Sequence, residues 1–103
     1  MNIVVFITAK DIVEAKKISD QLLEKKLIAC ANIIEGVQSV FWWQGKIDQA
    51  KETLMILKSK QSLFKKIVKT VKAHHSYAVP EVIALPIVDG NPDYLKWIDE
   101  SIG

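Results

Sequence analysis

The amino-acid sequence predicts an α+β fold, and three features of its pattern support that prediction. Short β-branched apolar runs alternate with stretches whose apolar residues repeat at the helical period. The two middle runs are separated by a glycine-containing turn, which indicates a hairpin. A third helical stretch ends the chain. The resulting order, β-α-β-β-α-β plus a C-terminal helix, is the ferredoxin-like arrangement, and 103 residues suffice for one domain, 1–103.

The first strand and the first helix are predicted from residues 3–26. Residues 3–8 are apolar and mostly β-branched, which favours a strand buried on both faces. Asp11 stands three positions before Glu14, a variant of the capping box that begins a helix. The apolar stripe of this helix continues to about Lys26 and consists of Ile12, Ala15, Ile18 or Ser19, and Leu22.

A long hairpin is predicted next. Residues 28–41 form its first strand, with a bulge or bend at Gly36. Gly45 can adopt a positive φ at the crest, and the return strand begins at Ile47 and continues to Lys58. Because such a pair is unusually long for a small domain, we expect its tip to pack on a neighbouring subunit.

The second helix and the fourth strand follow. Ser59 or Ser62 can cap the helix, which ends near His75. A loop that includes Pro80 leads to an apolar strand at 82–87, whose internal proline favours an edge position in the sheet.

A short third helix is predicted from its start signals. Asn91 is suited to the cap, and Pro92 to the first helical position. The residues expected to face inward are Tyr94, Leu95 and Ile98, with Trp97 nearby.

Composition excludes several classes of function. The net charge is only +2, and every cation is Lys because the chain contains no Arg. Guanidinium forks for phosphate or guanine are therefore absent, and no nucleic-acid partner is expected. No apolar stretch approaches the about 20 residues of a membrane span, and no secretion signal is visible. A single cysteine cannot form an intramolecular disulfide, so we expect a reducing, cytoplasmic setting.

The candidate metal ligands are Cys30 and two histidines that are adjacent to each other in the sequence, His74 and His75. The thiol can be a soft ligand for copper or zinc, or a small buried hydrophobe. The two imidazoles lie at a helix end, where they can offset the helix dipole. Alternatively, one of them joins Cys30 at a metal, completed by Glu81, Glu35, water or a second subunit.

The aromatic residues form a second group of candidates. They can provide a stacking platform for a planar ligand or close a subunit interface, and a long aromatic-tipped hairpin favours the interface. The group comprises Phe41, Trp42, Trp43, Tyr77, Tyr94 and Trp97.

Patterns typical of enzymes are missing from the sequence. It contains no Gly-rich phosphate loop, no paired-His helix motif and no nucleophile-elbow serine, and no carboxylate dyad is recognisable. It also lacks the aromatic motif of RNA-recognition modules, the Cys-x-x-Cys of copper chaperones and the arginine of acylphosphatases. We therefore expect a protein that is not an enzyme, with action on an anionic small molecule as the least favoured alternative.

Five motifs, in this order and spacing, make the whole chain resemble the CutA family of divalent-cation tolerance proteins. They are Ala-Cys-Ala-Asn-Ile-Ile at 29–34, Phe-Trp-Trp-Gln-Gly-Lys at 41–46, His-Ser-Tyr-Ala-Val-Pro-Glu at 75–81, Ile-Ala-Leu-Pro at 83–86 and Gly-Asn-Pro-Asp-Tyr-Leu-Lys-Trp at 90–97.

The resemblance implies a homotrimer that serves tolerance of copper or other divalent ions. It places metal at Cys30 and His75, with Glu81 as a third candidate ligand. It also implies a cleft between subunits, lined by Trp43, Lys58, Tyr77, Tyr94 and Trp97. The alternative function is a signalling or scaffold module, similar to the PII proteins, that binds a small ligand or partner protein in this cleft.

Two departures weaken a hard-ligand site in the cleft, because Gln44 and Ala78 stand where the family commonly has Glu. Two others replace prolines: Ser76 stands where the family commonly has Pro, and Glu35 where a proline often precedes the glycine. Cys30 and His75 are retained, so the resemblance still implies a soft-metal site.

Overall fold

A four-stranded antiparallel sheet forms the centre of the computed structural model, which describes residues 1–103. The strands are β1 (Asn2–Ala9), β2 (Cys30–Trp43), β3 (Lys46–Lys60) and β4 (Val82–Pro86). The helices are α1 (Ile12–Glu24), α2 (Phe64–His74) and α3 (Pro92–Ser101). The sheet order is β2-β3-β1-β4. This confirms the predicted ferredoxin-like order with an added C-terminal helix, and it confirms the edge position of β4.

The hydrophobic core lies on one face of the sheet. Alternate residues of β1 and β3 point into it, because successive side chains of a strand point to opposite faces. The core includes Val5 and Ile7 of β1, Leu57 of β3, Ile18 of α1 and Ile67 of α2, all of which are fully buried.

The opposite face of the sheet is only partly covered. Val4, Phe6 and Thr8 are half-buried in β1, so the prediction that this strand is buried on both faces is wrong for the single chain. We call this surface the open face. By strand register it consists of Val4, Phe6, Thr8, Leu54, Ile56, Lys58, Cys30, Asn32, Ile34, Ile83 and Leu85.

Helix α1 begins and ends with specific backbone contacts. The Asp11 carboxylate accepts a hydrogen bond from the Glu14 amide at 2.9 Å, as the capping pattern predicted. At the other end Lys26 adopts a positive φ of 54°, a conformation usually assigned to glycine. The Leu27 amide then donates to the Leu22 carbonyl, which closes the last turn without a glycine.

The hairpin turns as predicted. The sequence Gln44-Gly45 occupies a two-residue turn with φ of 50° and 78°, which matches the twist of the strands. The predicted bulge is present where the register shifts between Ile34 and Val37, with Gly36 at φ 77°. The hairpin extends beyond the helical layer, and the molecule measures 44 × 26 × 22 Å.

The predicted start of the second helix is wrong. Neither Ser59 nor Ser62 caps it; a 3-10 turn at Gln61–Leu63 leads directly into α2 without a side-chain cap. Ser59 instead lies buried in β3, where its hydroxyl donates to the Leu27 carbonyl at 2.6 Å.

The third helix begins as predicted but faces differently. Asn91 accepts from the Asp93 amide at 3.0 Å, and Pro92 is the first helical residue. Ile98 is buried and Leu95 half-buried, whereas Tyr94 remains 41% exposed, contrary to the inward position predicted for it. None of the three helices is long and apolar enough to cross a membrane.

Candidate functional site

Cys30 lies at the start of β2 and is surrounded by polar side chains. We call this group the Cys30 cluster; it consists of Cys30, Asn32, Lys58 and Tyr94. Cys30 pairs with Lys58 across the two strands, so both side chains lie on the open face. The Lys58 ammonium donates to the Cys30 sulfur at 3.9 Å and also to the Asn32 side-chain oxygen. The Cys30 thiol lies 3.8 Å from that same oxygen. Cys30 is half-buried within the single chain.

Tyr94 brings α3 into this cluster. Partial burial raises the pKa of its phenol, and the neighbouring Cys30 sulfur raises the pKa further, because a negative sulfur disfavours a second negative charge. The rings of Tyr94 and Trp97 lie 5.4 Å apart in a tilted arrangement. Tyr94 and Trp97 thus form an exposed aromatic wall beside the thiol.

His75 lies in a separate cluster, which we call the His75 cluster: Glu14, Glu52, His75 and Tyr77. Its imidazole is fully buried, and its Nε2 lies 2.8 Å from the Thr8 carbonyl. Its Nδ1 accepts from the Tyr77 amide at 3.0 Å and lies 3.5 Å from the Glu14 carboxylate. A neutral ring with the proton on Nε2 satisfies both backbone contacts.

The segment between α2 and β4, residues 75–81, is called the connector. Tyr77 and Glu14 attach it to the rest of the fold. The Tyr77 hydroxyl donates to Glu52 at 2.8 Å. Burial, the hydrogen bond to Glu52 and the nearby carboxylates together raise the pKa of Tyr77 to about 12. Glu14 also accepts from the Ser76 amide at 3.1 Å, so one buried carboxylate holds both α1 and the connector.

The two clusters lie at different ends of the sheet. Thr8, which contacts His75, pairs with Leu54, whereas Cys30 pairs with Lys58. Four residues along a strand separate these positions by about 13 Å. Glu81 is exposed and immediately precedes β4, at the His75 end. Within one chain the structure does not bring the predicted metal ligands Cys30, His75 and Glu81 together, and no three His, Cys, Asp or Glu residues form a metal-sized group.

The residues predicted to line a cleft are also divided. Lys58, Tyr94 and Trp97 lie in or beside the Cys30 cluster. Tyr77 belongs to the His75 cluster, and Trp43 lies at the tip of the hairpin, paired with Lys46 and exposed.

Sequence reasoning missed three participants. Asn32 lies two residues after Cys30, and the two-residue period of a strand places both on one face, so that signal was available. Glu14 has a local signal as a helix cap, but its contact with Ser76 spans 62 positions. Glu52 joins Tyr77 across 25 positions and has no local signal.

Comparison with known proteins shows consistent similarity along the chain. The family model described as "CutA1 divalent ion tolerance protein" matches residues 3–101. The chain is 45% identical over 102 residues to the "Divalent-cation tolerance protein CutA" of Archaeoglobus fulgidus, covering 99% of both. It is 44% identical over 100 residues to "Protein CutA 1, chloroplastic" of rice, covering 97% of this chain but only 56% of the rice protein.

Solved structures give the same result. The divalent cation tolerance protein Cut A1 of Thermus thermophilus superposes with a TM-score of 0.98 at 42% identity, and each chain is fully covered. The "Periplasmic divalent cation tolerance protein CutA" of A. fulgidus superposes with a TM-score of 0.96, also over both full chains.

Proposed function

Because this chain belongs to the CutA1 divalent ion tolerance family, we propose that it supports tolerance of divalent metals by binding copper or a similar ion as a homotrimer. The observation that carries the proposal is the family match over residues 3–101. Relatives named for divalent-cation tolerance match over their full length, including those of A. fulgidus and T. thermophilus. The proposal includes no enzymatic step.

Cys30 is the principal metal ligand in this proposal. Its thiol is half-buried on the open face rather than sealed in the core, and a thiolate favours soft ions such as copper. One chain adds only the Asn32 oxygen and the Tyr94 hydroxyl nearby, whereas a tight site needs three or four ligands. The remaining donors must therefore come from neighbouring subunits.

His75 and Glu81 are secondary ligands in the proposal. Both imidazole nitrogens of His75 already contact the backbone, at Thr8 and at Tyr77. Metal binding at His75 therefore requires one nitrogen to release its partner. Glu81 is exposed and needs no such rearrangement.

Trimer formation is supported by surfaces that a single chain leaves uncovered. The end of the hairpin that includes the turn, residues 40–49, is called the distal hairpin. It exposes large apolar side chains: Trp42 is 72% and Ile47 67% exposed, and the two face each other across the strands. The open face adds Ile34, Ile83 and Leu85, each about half exposed. Contiguous apolar surface of this kind marks an interface, and packing between subunits would cover it.

A chelator-competed copper titration tests the metal site. We expect one tight site per chain that is lost in Cys30→Ala, and binding that weakens as pH falls because the ligands must be deprotonated. His74→Ala is the matched control, since this imidazole lies at the end of α2 outside both clusters. Unchanged affinity in the Cys30→Ala, His75→Ala double variant would contradict the proposal. Loss only in His74→Ala would show adventitious capture by the helix end.

A second candidate function is a ligand-binding module, and the position of Lys58 favours it. The ammonium lies on the open face beside the Tyr94–Trp97 wall, which is a suitable combination for a planar anion. Thermal stabilisation by a panel of nucleotides and dicarboxylates would reveal such a ligand. Trp97→Ala should then abolish the stabilisation and leave copper affinity unchanged, and the reverse pattern would exclude this function.

We place the protein in the cytoplasm, where a free thiol such as Cys30 stays reduced. The names of two relatives assign them to other compartments: the rice protein is called chloroplastic, and the A. fulgidus structure periplasmic. Cell fractionation against cytoplasmic and periplasmic marker enzymes tests this assignment.

A further inference from the structure

Charge is strongly segregated along this chain. All twelve acidic residues lie outside residues 53–80, and this segment holds six of the fourteen lysines. The segment therefore carries +6, whereas the remaining eight lysines and twelve acids give the rest of the chain −4. The small net charge of +2 conceals this division.

The exposed side of α2 concentrates the positive charge. Lys65, Lys69 and Lys72 follow one another at spacings of four and three residues, which places them in one stripe. All three are exposed, and no carboxylate lies within ion-pair distance of any of them. Like charges at this spacing repel one another and destabilise the helix. A bound anion would relieve that repulsion.

An apolar groove runs beside this lysine stripe. It lies between α2 and the segment that leads into β4, has a volume of about 220 Å³, and is open to solvent. Val79 on its wall is 80% exposed. Its lining residues are Val68, Lys72, Ala78, Val79, Pro80 and Val82. Lys72 therefore belongs to both the groove and the stripe.

The lysine stripe faces away from the surface that the proposed trimer would bury. It lies on the side of α2 opposite Ile67 and Val71, which pack into the core. The core separates α2 from the open face, and the open face is the surface that the trimer would bury. The lysine stripe is therefore separate from the open face and from the Cys30 cluster.

We propose that the lysine stripe and the adjoining groove bind an acidic peptide segment of a partner protein. An apolar side chain of the peptide occupies the groove, and flanking carboxylates contact Lys65, Lys69 and Lys72. The concave groove favours a peptide over a bilayer, because a flat membrane surface cannot fill it. The absence of arginine disfavours nucleic acid as the occupant.

Fluorescence anisotropy with a labelled peptide, one leucine flanked on both sides by glutamates, tests the proposal on the full-length protein. We expect saturable binding that weakens with added salt. The Lys65→Gln, Lys69→Gln, Lys72→Gln variant should bind about tenfold more weakly, since each exposed ion pair contributes a small part of the affinity. Replacing the leucine of the peptide by glycine should weaken binding by a further about tenfold.

The matched control is Lys16→Gln, Lys17→Gln, Lys25→Gln, which removes the same charge from the α1 region. Equal weakening in this control would overturn the proposal, because it would show attraction to net charge alone. Indifference to the leucine, or preference for vesicles containing phosphatidylserine over the peptide, would also overturn it. Copper affinity should be the same in both triple variants, so failure here is distinguishable from failure of the metal proposal.

Discussion

The two halves of β3 show how differently one strand can be stabilised. From Thr53 to Lys60 the strand alternates between buried and half-buried residues, because the helical layer covers one of its faces. From Lys46 to Gln49 every residue is exposed, although β2 pairs with it throughout. Backbone pairing is therefore common to both halves, whereas side-chain burial within the chain belongs only to the proximal half. In the distal half Ile47 and the facing Trp42 of β2 are exposed, and the proposed trimer would cover them.

The largest expected effect is on assembly. Trp42→Glu combined with Ile47→Glu places two carboxylates on facing positions of the distal hairpin, where the proposed interface would have to bury them. By light scattering we expect a solution mass of one chain for the variant and of three chains for the unaltered protein. Far-ultraviolet circular dichroism should be unchanged, because both residues are exposed within the chain. A trimeric mass for the variant would refute the role of the hairpin tip.

A core truncation in the proximal half should have the next largest effect. Leu57 is fully buried, so Leu57→Ala should lower the free energy of unfolding by about 2–5 kcal/mol. Ile47→Ala on the distal half of the same strand is the matched control. Urea unfolding at several protein concentrations separates the two positions. The loss at Leu57 should not vary with concentration, whereas any loss at Ile47 should do so, because it acts through assembly.

A smaller effect is expected at Ser59. Ser59→Ala leaves the buried Leu27 carbonyl without its donor, which should cost about 1–3 kcal/mol. Ser62→Ala is the control: this residue is exposed, caps no helix, and should change the unfolding free energy by less than about 0.5 kcal/mol. A larger loss of unfolding free energy for Ser62→Ala than for Ser59→Ala would show that Ser62 is the cap of the second helix.

Glu52 lies at the boundary between the two halves of β3 and accepts a hydrogen bond from Tyr77. The pH dependence of stability should show whether this contact forms. The pKa of Tyr77 is raised from 10.0 to about 12 in the folded chain. Above pH 10 the unfolded state therefore loses this proton first, so stability should fall as the pH rises from about 10 to about 12. Absorbance titration of Tyr94→Phe, in which Tyr77 is the remaining tyrosine, measures the ionisation directly. A midpoint near 10 would show that neither the burial of Tyr77 nor its contact with Glu52 persists in solution.

Local patterns predicted the parts of this fold whose causes are local. Asp11 caps α1, Gln44-Gly45 turns the hairpin and Asn91 begins α3, because each acts on backbone groups within three residues of itself. The prediction that Ser59 caps α2 is wrong because its hydroxyl donates to the Leu27 carbonyl, 32 positions away. Local helix-capping preferences contain no information about a partner at that distance. Tyr94 was placed inward by helical spacing, but the chain offers no surface that fully covers it.

The candidate site likewise combines residues that the sequence predicts with contacts that only the folded chain creates. The family resemblance singles out Cys30, His75, Lys58 and Tyr94. That Cys30 lies against Lys58, and His75 against Thr8, follows from strand register and from the packing of the connector.

Local patterns in the chain thus specify the order of elements, the caps of α1 and α3, the hairpin turn, and the family to which the chain belongs, since these depend on neighbouring residues and on motif spacing. Only the tertiary structure decided which face of the sheet is covered and that the thiol and the buried imidazole occupy opposite ends of it. It also decided that the lysines of α2 have no acidic partners. The physical reason is that burial and electrostatic contacts depend on distances in space, and these are established only when strands far apart in the chain pair and helices pack on them.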